Sequence, residues 1–141
     1  MILLNRSAAK YVGKLSNKLR RKLDMLSSKK EFSGSNGKVL HFLLAQTDNI
    51  FQKDIEEEYG IRPSTASEIL KNMEKNGLIT REPVSYDNRL KKINLTDKAL
   101  LHKNQVITDL TELEKELLKD IPEEKVEIFF EVIEKMINNI S

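Results

Sequence analysis

The sequence predicts a mainly α-helical protein with one small β-hairpin. Three observations predict it. Apolar residues recur at steps of three and four through the outer thirds of the chain. Two short amphipathic patterns meet at Gly60 in the middle. After Leu78, two β-prone runs flank a turn rich in Ser, Asp and Asn.

Taken in order, residues 5–27 form a long helix by pattern. Ala8, Tyr11, Val12, Leu15, Leu19, Leu23 and Leu26 make one stripe, and lysine and arginine fill the other face. SSKKEFSGSNGK breaks that pattern with Ser and Gly and reads as a loop. Lys38 to Thr47 is a short apolar helix, and Ile50-Phe51 a minimal β-like run long enough only to pair with the hairpin. Gln52 to Tyr59 and a helix opening at Pro63 are hinged at Gly60, whose backbone supplies a tight turn at positive φ. Proline suits the first helical position, where its missing N–H costs nothing. The hairpin pairs Leu78–Arg81 with Leu90–Leu95, leaving Glu82–Arg89 as the intervening loop with Arg89 at its tip. Thr96 is the expected N-cap of a helix reaching about Lys119. Asp120-Ile121-Pro122 interrupts it, and Pro122 opens a last helix whose first acids suit the N-terminal dipole.

That last helix carries Val126, Ile128, Phe129, Phe130, Val132, Ile133, Met136, Ile137 and Ile140 on more than one face. A single core needs one stripe, so a second buried contact is expected: a subunit interface, or else a helix sandwiched within its own monomer. The expected organisation is a helical dimerisation region, residues 1–34 and 97–141, around a compact unit at 35–96.

Charge narrows the class. The formal net charge of +2 is too small to argue for a polyanionic partner by itself. Its distribution is uneven. Residues 6–30 hold nine basic side chains against Asp24 alone, and Asp109 to Glu134 hold ten acids against Lys115, Lys119 and Lys125. With 0 cysteines the sequence offers no disulfide, thiolate metal site or thiol nucleophile. No apolar run approaches the roughly 20 residues of a membrane span, and no signal-peptide pattern opens the chain. A cytoplasmic protein with no membrane role is expected.

The central module is where function is legible. Two helices with a tight turn and a charged hairpin are the layout of a winged helix-turn-helix, whose second helix enters the DNA major groove. Ala66, Ile69, Leu70 and Met73 form its buried face, which turns Ser64, Thr65, Ser67, Glu68, Lys71, Asn72 and Lys75 outward or sideways. Hydroxyls and backbone N–H groups at a helix N-terminus suit phosphate oxygens. Asn72 suits adenine and Lys71 guanine or phosphate, whereas Glu68 tolerates only a base-edge donor such as cytosine N4. In the hairpin, Asp87 can bond its own turn and hold Arg89 for a minor groove, with Lys91 and Lys92 on phosphates. Gln52 and Arg62 complete the expected DNA-binding set.

These motifs resemble the MarR family of bacterial transcriptional regulators. The resemblance runs through Arg62-Pro63-Ser64-Thr65, Met73-Glu74-Lys75-Asn76-Gly77-Leu78-Ile79 with Arg81, Asp87-Asn88-Arg89 and Leu95-Thr96, and the flanking helices extend it over nearly the whole chain. It implies a homodimer, joined through Leu4, Ala8, Tyr11, Leu117, Phe129, Phe130, Ile133, Ile137 and Ile140. It further implies a pseudo-palindromic double-stranded DNA operator and repression relieved by a small-molecule effector, with Tyr11, Phe32 and Phe42 as candidate pocket residues or simply core. Glu56, Glu68, Asn88 and Ala99 depart from the family pattern.

Two other classes stay open. A winged helix can serve as a protein-interaction module without DNA, and residues 52–92 balance eight basic against eight acidic side chains. A metal-responsive regulator would use His41 and His102, the 2 histidines. An enzyme is not expected: there is no Gly-rich phosphate loop and no nucleophile–base motif, and no cofactor is implied.

Overall fold

The computed structural model describes residues 6–26 and 34–141. Leu4 and Phe32 lie outside the described residues. Among the described residues, seven helices and one hairpin follow in the order α1 (Ala8–Leu26), α2 (Gly34–Leu44), α3 (Gln52–Tyr59), α4 (Pro63–Lys75), β1 (Ile79–Val84), β2 (Asp87–Leu95), α5 (Asp97–Leu101), α6 (Lys103–Leu117) and α7 (Glu123–Asn139). This is the mainly α fold with a small antiparallel wing that the sequence predicts. The chain divides into two compact units, Met1–Leu110 and Thr111–Ser141.

In the first unit, apolar residues from each element converge. Val39, Leu40 and Leu43 of α2, Ile55 of α3, and Ala66, Leu70 and Met73 of α4 are buried with Leu78, Ile79 and Ile93 at the hairpin base and with Ala99 and Val106. Each fully buried leucine contributes about 1.5–3 kcal/mol relative to exposure. This cluster holds the base of the wing and the inner face of α4 on one foundation.

Local chemistry explains the boundaries. Ser7 Oγ accepts the Lys10 N–H at 3.2 Å and so caps α1. The Phe51 N–H donates to Asp54 Oδ2 at 2.8 Å at the start of α3. Gly60 ends that helix at φ 60°, ψ 38°, the left-handed turn its position requires. Gly77, at φ 74°, closes α4: its N–H reaches the Glu74 carbonyl and the Leu78 N–H reaches that of Met73, the paired bonds of a Schellman motif. Thr96 caps α5 as expected, its hydroxyl accepting the Ala99 N–H at 3.3 Å.

Several expectations are corrected. The second helix spans Gly34–Leu44, not Lys38–Thr47. Its first turn lies within the Ser/Gly stretch read as loop, where the Asn36 amide is anchored to Asn72 and Gly37 is buried. Ile50-Phe51 is no strand; Ile50 gives the sheet a single bond, accepting the Ile93 N–H at 2.9 Å. The helix after Thr96 is broken at His102, whose N–H turns back to the Ala99 carbonyl three residues earlier. The hairpin loop is far shorter than Glu82–Arg89. The strands pair as far as Pro83 opposite Lys91, then shift register before Val84 meets Asp87, so only Ser85 and Tyr86 turn. Proline fits there because a two-stranded ribbon has a free edge and the shift relaxes the ladder. Arg89 therefore sits in β2, not at the tip.

The second unit holds the end of α6 and all of α7. Asp120 adopts φ 62° in the connection, and Pro122 stands just before α7 as its N-cap rather than inside it. Acids Glu123 and Glu124 occupy the first turn of α7, as its dipole favours. No residue of α7 is buried. Phe129 and Phe130 touch ring to ring at 5.6 Å between centroids, yet both stay exposed with Ile137 and Ile140. Val126 and Ile133 are half-buried. Among the described residues, no helix is long and apolar enough to cross a membrane.

Candidate nucleic-acid interface

The site begins with α4, because its inner face is fixed. Ala66, Leu70 and Met73 are fully buried, so a period of 3.6 residues puts Ser64, Glu68, Lys71 and Lys75 on the opposite side, where all four are exposed. Thr65 is exposed beside them and Ser67 is half-buried. The N-terminus of α4 starts from Arg62, which provides no side-chain cap, and Pro63 follows. Its first N–H groups keep the partial positive charge of a helix start and face outward with two hydroxyl side chains.

Gln52 locks the angle between the two helices. Its amide donates to Glu56 Oε2 at 3.2 Å and to the Pro63 carbonyl at 3.1 Å, bridging α3 to the first residue of α4. The expected DNA contact is therefore also the strut that sets the helix-turn-helix angle. Glu56, a departure from the family pattern, is explained by its place in that strut.

Asn72 lies on the flank of α4 that faces α2. Its Oδ1 accepts from the amide of Asn36 on α2 and from that of Asn76 one turn on, each at 2.9 Å. No sequence signal singles out Asn36, because it lies in a stretch whose composition reads as loop.

In the wing, Asp87 gathers Arg89. The Arg89 backbone N–H donates to Asp87 Oδ1 at 2.9 Å, its Nε to the same oxygen at 3.2 Å, and its Nη2 to Oδ2 at 3.3 Å. These bonds hold the Asp87 carboxyl below the usual carboxylate range. The Arg89 side chain is 90% exposed all the same, an oriented cation standing in solvent. Lys91 is exposed nearby, while Lys92 Nζ lies 3.4 Å from Glu82 Oε1 across the ribbon. Hydrogen bonding from Asn94, then from Lys92, lowers the Glu82 pKa.

A second arginine does different work. Arg81 is half-buried, and its Nη2 donates to Glu74 Oε1 at 2.7 Å, tying β1 to the last turn of α4. That bond, more than charge alone, depresses the Glu74 pKa. Arg81 was legible only as part of a motif, because its partner lies seven residues away across a chain reversal. Thr96 and Lys98 complete the seam: the Thr96 hydroxyl donates to the Gly77 carbonyl at 2.6 Å and Lys98 Nζ to that of Asn76 at 2.8 Å.

Of the residues tied to effector or metal binding, Phe42 packs against the core and meets Tyr59 edge-on at 6.1 Å. Tyr59 donates to the Lys38 carbonyl at 2.8 Å, and burial, then Glu58, pushes its pKa up to about 12. Tyr11 is exposed on α1. His41 and His102 belong to α2 and to the α5–α6 break; among the described residues no three His, Cys, Asp or Glu side chains are grouped to hold a metal ion.

Paired helices hinged at a left-handed glycine, an outward polar face on the second, and an arginine-bearing hairpin define a winged helix-turn-helix protein. Comparison with known proteins agrees. The MarR family model matches residues 33–90. The chain is 27% identical over 99 residues, 70% of its length, to YdgJ of Bacillus subtilis (strain 168), described as an uncharacterized HTH-type transcriptional regulator; the match spans 60% of that protein. The fold is similar to S. aureus MepR in a MepR–DNA complex, at 25% identity and TM-score 0.85, covering 95% of this chain and 98% of that one. It is also similar to the heme sensor PefR bound to heme and carbon monoxide, at 28% identity and TM-score 0.60, covering 94% and 90%. Through residues 33–90 the chain is similar to the MarR family.

Proposed function

We propose that the protein acts as a homodimer that binds a pseudo-palindromic operator and represses transcription until a small-molecule effector releases it. The observation that carries the DNA reading is Arg89, exposed yet aimed by three bonds from Asp87. An arginine with no task in solution gains little from such restraint; one that enters a narrow, electronegative minor groove is spared the entropy of ordering. The uncapped start of α4, with Ser64 and Thr65, suits phosphate oxygens, and Glu68 and Lys71 suit base edges. MepR, similar over nearly its whole length, is a DNA-bound relative.

Two copies are favoured by α7, which buries none of its residues and exposes Phe129, Phe130, Ile137 and Ile140. A two-fold dimer would present two α4 helices and two wings, which is why a palindrome is expected. Relief by an effector rests on the relative PefR, a heme sensor.

Selection of bound duplexes from a random pool tests the reading. A palindromic consensus with steep salt dependence is expected. Affinity that ignores both sequence and salt would replace it with the protein-interaction module.

A further inference from the structure

We infer that Asn72 is a donor-only reader, whose amide selects a base edge that presents acceptors and discriminates against adenine. The inference deepens the operator-binding reading and rests on it. A free asparagine amide is both donor and acceptor, and that duality pairs it with adenine, which offers N7 as acceptor and N6 as donor. Here the duality is removed. A carbonyl oxygen has two lone pairs, and Asn72 Oδ1 already accepts two amide hydrogens, from Asn36 and from Asn76, both at 2.9 Å. Its Nδ2 has no partner among the described residues, and the side chain is exposed on α4. What remains for a groove is an NH2 group alone.

Such a group is satisfied by guanine, whose N7 and O6 are both acceptors, or by the O4 of thymine. The bidentate pair with adenine would need Oδ1 to accept from N6 and so abandon one internal donor, leaving an amide N–H of Asn36 or Asn76 without its partner. The base preference of this position is therefore set in part from α2, an element that bears no recognition residue of its own. Asn36 and Asn76 act as positioning residues: they fix which face of the Asn72 amide looks outward.

The test is duplex selection from a random pool with the full-length protein and three variants. The wild type should enrich guanine or thymine at one position of each half-site. Asn72→Ala should lose that preference. Asn72→Asp keeps an oxygen to accept from both neighbours and removes the outward donor, so it should lose the preference too, with the fold intact by circular dichroism. The Asn36→Ala/Asn76→Ala variant frees Oδ1, and adenine at that position should rise about fivefold or more relative to guanine. Adenine preferred by the wild type in an Asn72-dependent way, an Asn72→Ala profile identical to the wild type, or a double variant with no gain of adenine would each overturn the inference. Failure of the wild type to enrich any sequence would overturn the operator reading itself, and the inference with it.

Discussion

Arg81 and Glu74 join the wing to the recognition helix through a bond of 2.7 Å between Nη2 and Oε1. Arg81 pairs with Ile93 in the ribbon register, so its side chain shares the face that covers the core. Its Nε is buried without a partner among the described residues and its Nη2 donates to Glu74, which makes the pair costly to split. In the proposed DNA complex α4 and the hairpin need a fixed relative position, and this pair supplies one.

The first prediction concerns acid. The folded-state pKa of Glu74 is depressed by Arg81. Its contribution to stability is therefore complete above the ordinary glutamate value of about 4.3 and is lost as pH falls below it, through the depressed folded value. In urea unfolding, Glu74→Gln should lower stability near neutral pH and show a shallower loss on acidification than the wild type. Parallel acid profiles would assign the acid sensitivity to other carboxylates.

At the wing, Arg89→Ala should weaken operator binding severalfold while leaving the oligomer intact. Asp87→Ala should give a smaller loss, because the arginine survives but must be ordered on binding. The double variant should then lose little more than Arg89→Ala alone, since Asp87 acts through Arg89. Fluorescence anisotropy titrations of the four proteins close this cycle, and simple additivity would argue against the coupling.

Gly60 offers a cleaner test of backbone strain. A Cβ placed there meets nothing within 4 Å, so substitution brings no clash, only the penalty of φ 60°. Gly60→Ala should cost about 1–2 kcal/mol in chemical denaturation. Gly60→Asn should cost less, because asparagine tolerates the left-handed region. Equal costs would mean that space, not backbone conformation, governs the turn.

On α7, Ile137 is 58% exposed within the monomer and Ile140 more so. If these residues meet a second copy, Ile137→Glu should shift the protein to a monomer in analytical ultracentrifugation with its helical content kept. DNA affinity should fall with it, because two half-sites would no longer be held together. A dimer unaffected by the change would place the subunit contact elsewhere.

Much of this fold was legible because its residues speak locally. Gly60, Pro63 and Thr96 act through their own backbone or the next turn, and the α3 and α4 boundaries follow from them. The period of Ala66, Leu70 and Met73 was enough to orient the recognition face. What composition hid was non-local. Asn36 looked like loop because glycine and serine surround it, yet its amide is held by Asn72, 36 residues away. Gln52 is legible in the sequence only as an expected DNA contact, and only the folded turn brings the Pro63 carbonyl within its reach. Pro83 falls within the loop expected from the sequence, yet it pairs with Lys91 beside a register shift. The His102 break has neither proline nor glycine to announce it.

The seam at Gly77 has a consequence for how such a chain can change over time. Met73 and Leu78, Leu78 and Thr96, Gly77 and Thr96, and Asn76 and Lys98 are bonded in turn, so the chain leaves α4 and returns to α5 through one closed ring. Everything from Glu82 to Lys92 hangs outside that ring like a pendant on a clasp. Insertions, deletions or exchanges at its tip can alter what the hairpin touches while the seat of the recognition helix stays put. One half of the reading surface is free to drift, and the other is bolted down.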